Sequence, residues 1–146
     1  MTWQSLLDER LAERHRTSKE ELDALRAVVE RNLRDAKVEG LSADGRFGCA
    51  YEAALTLATM AIAAAGYRVK GPGYHRTTFQ ALPLAMQDTV ADSRYFDRCR
   101  RLRNELSYEH AGVVTQRDVD ELLQRVATFK ARVEATLRAR GPGGEA

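Results

Sequence analysis

The segment RLRNELSYEH, residues 101–110, combines an arginine, an asparagine, a tyrosine and a histidine near the predicted end of a helix. Arg103 and His110 are seven positions apart, so they lie on one stripe if the helix persists that far. A planar guanidinium can bind two phosphate oxygens at once, and an imidazole can transfer a proton near neutral pH. Together these two groups are sufficient to cleave RNA without a metal ion.

Four further residues are candidates for substrate binding. Arg100 and Tyr108 belong to the same helical segment, and His75 and Arg76 follow the glycine-rich turn of the segment GYRVKGPGYHRT. We predict that Arg100, Tyr108, His75 and Arg76 contact RNA beside the Arg103 and His110 pair. The alternative for the second segment is that His75 or Thr77 caps the short helix that follows.

The residues of the main motif also have structural interpretations. Arg103 and Asn104 could cross-link helices, with the asparagine bonded to backbone near the helix end. His110 could be an exposed histidine in a turn, and Glu109 beside it could either tune the imidazole or repel phosphate. Four of the residues at 98–103 are arginines pointing in several directions, so part of this run is a solvated helix face.

The composition of the chain limits the functions that it could have. The 23 basic and 21 acidic side chains give a net charge of only +2, so nucleic-acid binding would have to rest on a local patch, which a two-fold dimer would double. Cys49 and Cys99 are expected to be buried free thiols. No metal-ligand spacing, glycine-rich phosphate loop or Ser/His/Asp arrangement is visible.

The longest apolar run, Ala53–Ala65, is too short to span a bilayer, and we expect a cytoplasmic protein without membrane contact.

The hydrophobic pattern is helical throughout and predicts an all-α, up-and-down bundle of four main helices with one or two short ones. A capping box at Ser18 and Glu21 opens one main helix, Asp44 is a candidate cap for the central one, and Asp92 or Ser93 for the next. Thr115 and Asp118 open the last. The predicted helices cover about 3–14, 19–39, 45–65, a short helix after a loop at 66–77 that breaks or restarts near Pro83, 94–108 and 116–137.

The order of these segments resembles a known family. Arg103 and Asn104, followed by His110 after six residues, resemble the R-(N/H/D)-x(4–6)-H signature of HEPN domains (higher eukaryote and prokaryote nucleotide-binding). The stretch GRFGCAYEAALTLA, with Arg46, Tyr51 and Glu52, is similar to the opening of the central HEPN helix, and GYRVKGPGYHRTTFQAL is similar to the segment after it. The resemblance covers about residues 44–137.

The chain length predicts a single domain at 1–140, and the GPGGEA tail at 141–146 is expected to be disordered. Within this domain the resemblance places the HEPN-like part at 44–137, with N-terminal helices at 3–39 packed on it. It implies a homodimer in which two arginine–histidine motifs form one composite cleft. Catalytic HEPN proteins are metal-independent endoribonucleases without a cofactor, often toxins with a nucleotidyltransferase antitoxin. By this resemblance Arg103 orients the phosphate, His110 is the acid or base, and Asn104 holds the substrate or the histidine. The alternative is a non-catalytic module that binds a nucleotide or a nucleotidyltransferase partner.

Overall fold

The computed structural model describes residues 1–106 and 113–140 of the chain. In this part of the chain, four long helices and two shorter ones form a bundle, and two short strands pair at its edge. The elements in chain order are α1 (Trp3–Asp8), β1 (Ala12–Arg14), α2 (Lys19–Asp35), α3 (Ala43–Ala64), β2 (Tyr67–Val69), α4 (Tyr74–Ala85), α5 (Val90–Leu106) and α6 (Gln116–Arg140). The mainly α-helical bundle predicted from the sequence is confirmed. Tyr108, His110 and the tail at 141–146 lie outside the described residues.

The helix α3 is the centre of the bundle. It packs against α2, α4, α5, α6 and β2, and its alanines let these neighbours approach closely because they add little bulk. Of the described helices, α3 is long and apolar enough to cross a membrane by length and composition, and 72% of its apolar window is buried inside the bundle. Core helices have the same composition, and here the apolar surface of α3 is covered by its neighbours.

A row of aromatic rings joins the helices around α3. Phe79 of α4 lies 5.8 Å from Phe96 of α5, and Phe96 lies 5.1 Å from Phe129 of α6, measured between ring centroids. Tyr51 of α3 meets the edge of Phe79 at 5.9 Å. All four residues are buried, so their packing fixes α4 and α5 relative to α3.

The first helix is shorter than predicted. It ends at Asp8, and Arg10 then takes a φ of 60°, which is incompatible with a continuing helix. The chain next pairs Ala12–Arg14 with Tyr67–Val69 as an antiparallel ribbon. The prediction of a helix over 3–14 is therefore wrong beyond residue 8, and the prediction of a continuous loop over 66–77 is wrong because it contains β2 and the start of α4.

Proline does not interrupt α4, contrary to the prediction of a break near Pro83. A proline supplies no N–H to the carbonyl four residues earlier, which here is that of Phe79. The hydroxyl of Ser93 donates a hydrogen bond to this carbonyl at 2.6 Å. Ser93 therefore lies inside α5, which begins at Val90 and not near Arg94, and it joins α5 to α4 instead of capping a helix.

The helix caps agree with the sequence at two of the sites. Ser18 accepts a hydrogen bond from the Glu21 N–H, and Thr115 and Asp118 form the reciprocal pair expected at the start of α6. The cap of α3 is Ser42, whose hydroxyl accepts from a backbone N–H at 3.0 Å, and not Asp44.

Ion pairs connect α6 to both of its neighbours. The guanidinium of Arg26 in α2 binds both carboxylate oxygens of Glu134 at 2.7 and 2.8 Å. Lys130 pairs with Glu30 of α2. On the other side of α6, the guanidinium of Arg132 binds Asp92 of α5 at 2.8 Å. These contacts set α6 in register with α2 and α5 across the surface of α3.

Replacing Glu134 with glutamine is expected to lower the free energy of unfolding by about 1 kcal/mol at pH 7, because the bidentate pair with Arg26 is lost. The hydrogen bond from Arg26 lowers the pKa of Glu134 below its ordinary value of 4.5. The stabilisation is therefore complete above that ordinary value and disappears as the pH falls through the lower pKa of the folded protein. Urea unfolding at pH 7 and at pH 3 measures both effects.

The matched control is Glu30→Gln, which removes the more exposed pair between the same two helices and should change stability less. A Glu134→Gln variant no less stable than Glu30→Gln at pH 7 would contradict the importance of the bidentate pair.

Candidate phosphate-binding cleft

A cleft of about 230 Å³ lies where the start of α4 meets the C-terminal half of α5. Its described lining consists of Gly73, Tyr74, His75, Arg76, Arg100, Arg103 and Asn104. Five of the seven candidate residues thus line the same cleft, although α4 and α5 contribute them from positions far apart in the sequence. The other two, Tyr108 and His110, lie outside the described residues.

Arg103 is held by two residues of the central helix. Its Nη2 donates to Oε1 of Glu52 at 2.8 Å, and its guanidinium carbon lies 5.2 Å from the centroid of the Tyr51 ring. Both charged side chains are about two-thirds buried. A guanidinium held by a carboxylate on one side and a ring face on another keeps a defined orientation, so α3 sets the direction in which Arg103 presents its fork.

The charge of the cleft is positive. Arg100 is oriented by Asp97, whose carboxylate accepts from its Nε at 2.7 Å, and Arg76 and Asn104 are exposed at the rim. No acidic side chain is found among the described residues that line the cleft. The carboxylates nearby serve to orient the arginines, which suits the cleft to an anion with several oxygens, such as a phosphodiester.

His75 lines the cleft, and its ring is hydrogen-bonded to the central helix α3. Its Nδ1 lies 3.0 Å from the hydroxyl of Tyr51, which is fully buried in α3. Burial lowers the pKa of His75, and the nearby Arg103 and Arg100 act in the same direction while Glu52 opposes them. Burial also raises the pKa of the Tyr51 hydroxyl. At neutral pH the pair therefore consists of a neutral imidazole and a neutral phenol.

The start of α4 tests the alternative that His75 or Thr77 caps this helix. The N-cap is Gly73, whose φ of 69° is in the left-handed region that favours glycine, and no side chain caps the helix. Thr77 donates to the Gly73 carbonyl instead, at 3.4 Å. Capping by His75 or Thr77 is therefore wrong, and the side chain of His75 is directed to Tyr51.

Sequence reasoning did not find the roles of Tyr51 and Glu52 in this cleft. Both residues are identified from the sequence only through the family resemblance. A detectable signal exists, because Glu52 is the only charged residue of α3 beyond its first turn. A lone carboxylate in the most apolar helix requires a partner, and α5 supplies it.

A larger groove, of about 560 Å³, lies elsewhere on α5. It is less suited to a polyanion because two acidic residues of α6 line it. Burial raises the pKa of its thiol, Cys99, to about 11, so the thiol is neutral at pH 7. The lining residues are Phe47, Tyr95, Arg98, Cys99, Arg101, Leu102, Asp118 and Glu121. Cys99 and Cys49 are both free, as predicted, but only Cys99 is buried, and Cys49 is partly exposed. Within 1–106 and 113–140 no cluster of three or more His, Cys, Asp or Glu side chains could hold a metal ion.

Comparison of the sequence with known proteins identifies its family. The model of the family described as SAV_6107-like HEPN matches residues 38–134, about two-thirds of the chain, and the match includes every described residue that lines the cleft. No curated protein and no solved structure matches the chain. The helical bundle centred on α3 and the arginine–asparagine pair near the end of α5 are consistent with this match. The chain belongs to the SAV_6107-like HEPN family.

Proposed function

We propose that this protein is a metal-independent endoribonuclease whose substrate phosphate binds in the cleft between α4 and α5. The observation that carries the proposal is the convergence of Arg100, Arg103, Asn104, His75 and Arg76 on one cleft, with no acidic side chain among its described lining residues. Arginine forks and amide or imidazole N–H groups are the donors that a phosphodiester requires.

The proposed reaction needs no external reagent. The ribose 2′-oxygen loses its proton and forms a bond to the adjacent phosphorus, and the bond from phosphorus to the 5′-oxygen of the next nucleotide breaks. The products are a 2′,3′-cyclic phosphate and a 5′-hydroxyl. His110 transfers the proton, Arg103 stabilises the negative charge on the phosphate oxygens, and Asn104 holds the substrate.

A homodimer would complete such a site. Two copies of the motif facing one another would supply two imidazoles, one to accept the proton of the 2′-hydroxyl and one to donate a proton to the 5′-oxygen. The dimer would also double the number of arginines at the site. This local positive charge would attract RNA although the net charge of the chain is small. Within a toxin–antitoxin or defence system, a nucleotidyltransferase-type antitoxin is the proposed partner.

A second candidate function is a non-catalytic HEPN module that binds a nucleotide or a nucleotidyltransferase. The observation that favours it is that Arg103 and Arg100 already have carboxylate partners, Glu52 and Asp97. An arginine that cross-links two helices has this geometry without any substrate. Binding of a nucleotide or of a nucleotidyltransferase, without cleavage of RNA, would favour this second function.

Replacing Arg103 with lysine is expected to reduce the rate of RNA cleavage by about 100-fold, because lysine keeps the charge and loses the planar fork. Cleavage of a labelled single-stranded RNA by the purified variant measures the effect. Arg101→Lys is the matched control, since Arg101 lies two residues away and lines the larger groove instead. Equal rates for the Arg103→Lys variant and the control would contradict a role of the fork in cleavage.

Replacing His110 with alanine is expected to abolish cleavage, since no other group is assigned the proton transfer at the 2′-oxygen. The assay is carried out in excess chelator, where the wild-type protein is expected to remain active and to leave 2′,3′-cyclic phosphate ends detectable by mass spectrometry. Cleavage that survives in the His110→Ala variant would remove this residue from the mechanism. Cleavage by the wild type that stops in chelator would rule out the metal-independent reaction.

A further inference from the structure

We infer that the buried Tyr51 hydroxyl donates a hydrogen bond to Nδ1 of His75 and thereby fixes His75 as a neutral Nε2–H donor to a phosphate oxygen in the cleft. The inference rests on the proposed function for the identity of the ligand, a phosphodiester of RNA. It assigns Tyr51 a positioning role and gives His75 a binding role that differs from the proton transfer assigned to His110.

The first step concerns the hydroxyl proton of Tyr51. The residue is fully buried, and its hydroxyl makes no other hydrogen bond in the described part of the chain than the one with His75. A buried O–H without an acceptor is costly, and Nδ1 of His75 at 3.0 Å is the acceptor available. Nδ1 accepts only when it carries no proton, so a neutral imidazole must carry its proton on Nε2.

The second step concerns the charge of the ring. The groups that face His75 are Tyr51 and Glu52 from α3, Arg100 and Arg103 from α5, and its own neighbours on α4. Burial and the two guanidinium groups lower the pKa of His75 against the opposing effect of Glu52. The imidazole is therefore neutral at pH 7 and above, where the hydrogen bond from Tyr51 defines its tautomer.

The third step concerns what Nε2 can reach. Nδ1 is directed into the protein, Nε2 is on the opposite side of the ring, and the ring lines the cleft with Arg103 and Arg100. In the described residues Nε2 has no hydrogen-bond partner. A neutral N–H donor in a cleft that two guanidinium groups also line adds a contact to a phosphate without adding a further positive charge.

The tautomer is measured directly by nitrogen NMR of the full-length protein labelled with ¹⁵N-histidine at pH 7.5. The chain has three histidines, and the signals of His75 are those that disappear in the His75→Gln variant. We expect Nε2 protonated and Nδ1 unprotonated in the wild type, and a mixture of tautomers in Tyr51→Phe. A protonated Nδ1 in the wild type would overturn the inference.

Binding is measured with a fluorescent 2′-O-methyl oligoribonucleotide, which has phosphodiesters but no free 2′-hydroxyl to attack them. We expect His75→Ala to weaken binding about tenfold, because a hydrogen bond to a charged group is lost, and Tyr51→Phe to weaken it severalfold. His75→Gln should restore most of the affinity, since its side-chain amide supplies an N–H donor. The control is Tyr67→Phe, which removes a tyrosine hydroxyl outside the cleft, from a ring that stacks on Trp3.

The pH dependence separates a neutral donor from a charged one. We expect the ratio of the wild-type affinity to that of His75→Ala to stay constant between pH 7 and pH 9. A ratio that falls as the pH rises would show that the imidazolium makes the contact and would overturn the inference. Equal affinities for Tyr51→Phe and Tyr67→Phe, with both variants folded by circular dichroism, would also overturn it.

These outcomes are distinguishable from failure of the proposed function. Absence of RNA cleavage by the wild type, with the expected tautomer and the expected loss of binding, would remove the nuclease and keep the phosphate-binding role of His75. Cleavage by the wild type together with a protonated Nδ1 would keep the nuclease and remove the positioning role of Tyr51.

Discussion

The geometry of the cleft depends on the contact between Arg103 of α5 and two adjacent residues of α3. Glu52 holds the guanidinium through a hydrogen-bonded ion pair, and Tyr51 lies beside it while its hydroxyl reaches His75 of α4. One turn of the central helix therefore orients side chains of two other helices that line the cleft. Since a partly buried guanidinium and a buried hydroxyl both require partners, the contacts that stabilise the bundle here are the same ones that arrange its donors.

The apolar character of α3 makes this arrangement possible. A helix covered on all sides by neighbours brings α4 and α5 together over one of its faces, and the aromatic row through Phe79 and Phe96 fixes their separation. The hydrogen bond from Ser93 to the carbonyl left unpaired by Pro83 adds a polar connection between the same two helices. The cleft lies at the N-terminal end of α4, where the backbone turns at Gly73 and leaves room for a ligand.

Much of this was predictable from the sequence, for physical reasons that also explain the exceptions. The hydrophobic period marks α2 and α6, and a long apolar run marks α3. The spacing of Arg100, Arg103 and Asn104 on a helix predicts that they share a face. Strands of three residues are too short to show an alternating pattern, which is why the pairing of Ala12–Arg14 with Tyr67–Val69 was missed. The contact between Tyr51 and His75 depends on how α4 lies on α3, and no local pattern encodes that packing.

The most direct test of the account is a crystal structure of the protein with a 2′-O-methyl oligoribonucleotide. The account predicts a phosphodiester in the cleft, with oxygens at hydrogen-bond distance from the guanidinium of Arg103 and from Nε2 of His75, and with a second copy of the chain completing the site. An oligonucleotide bound in the larger groove of α5, with the cleft between α4 and α5 free of phosphate, would contradict it.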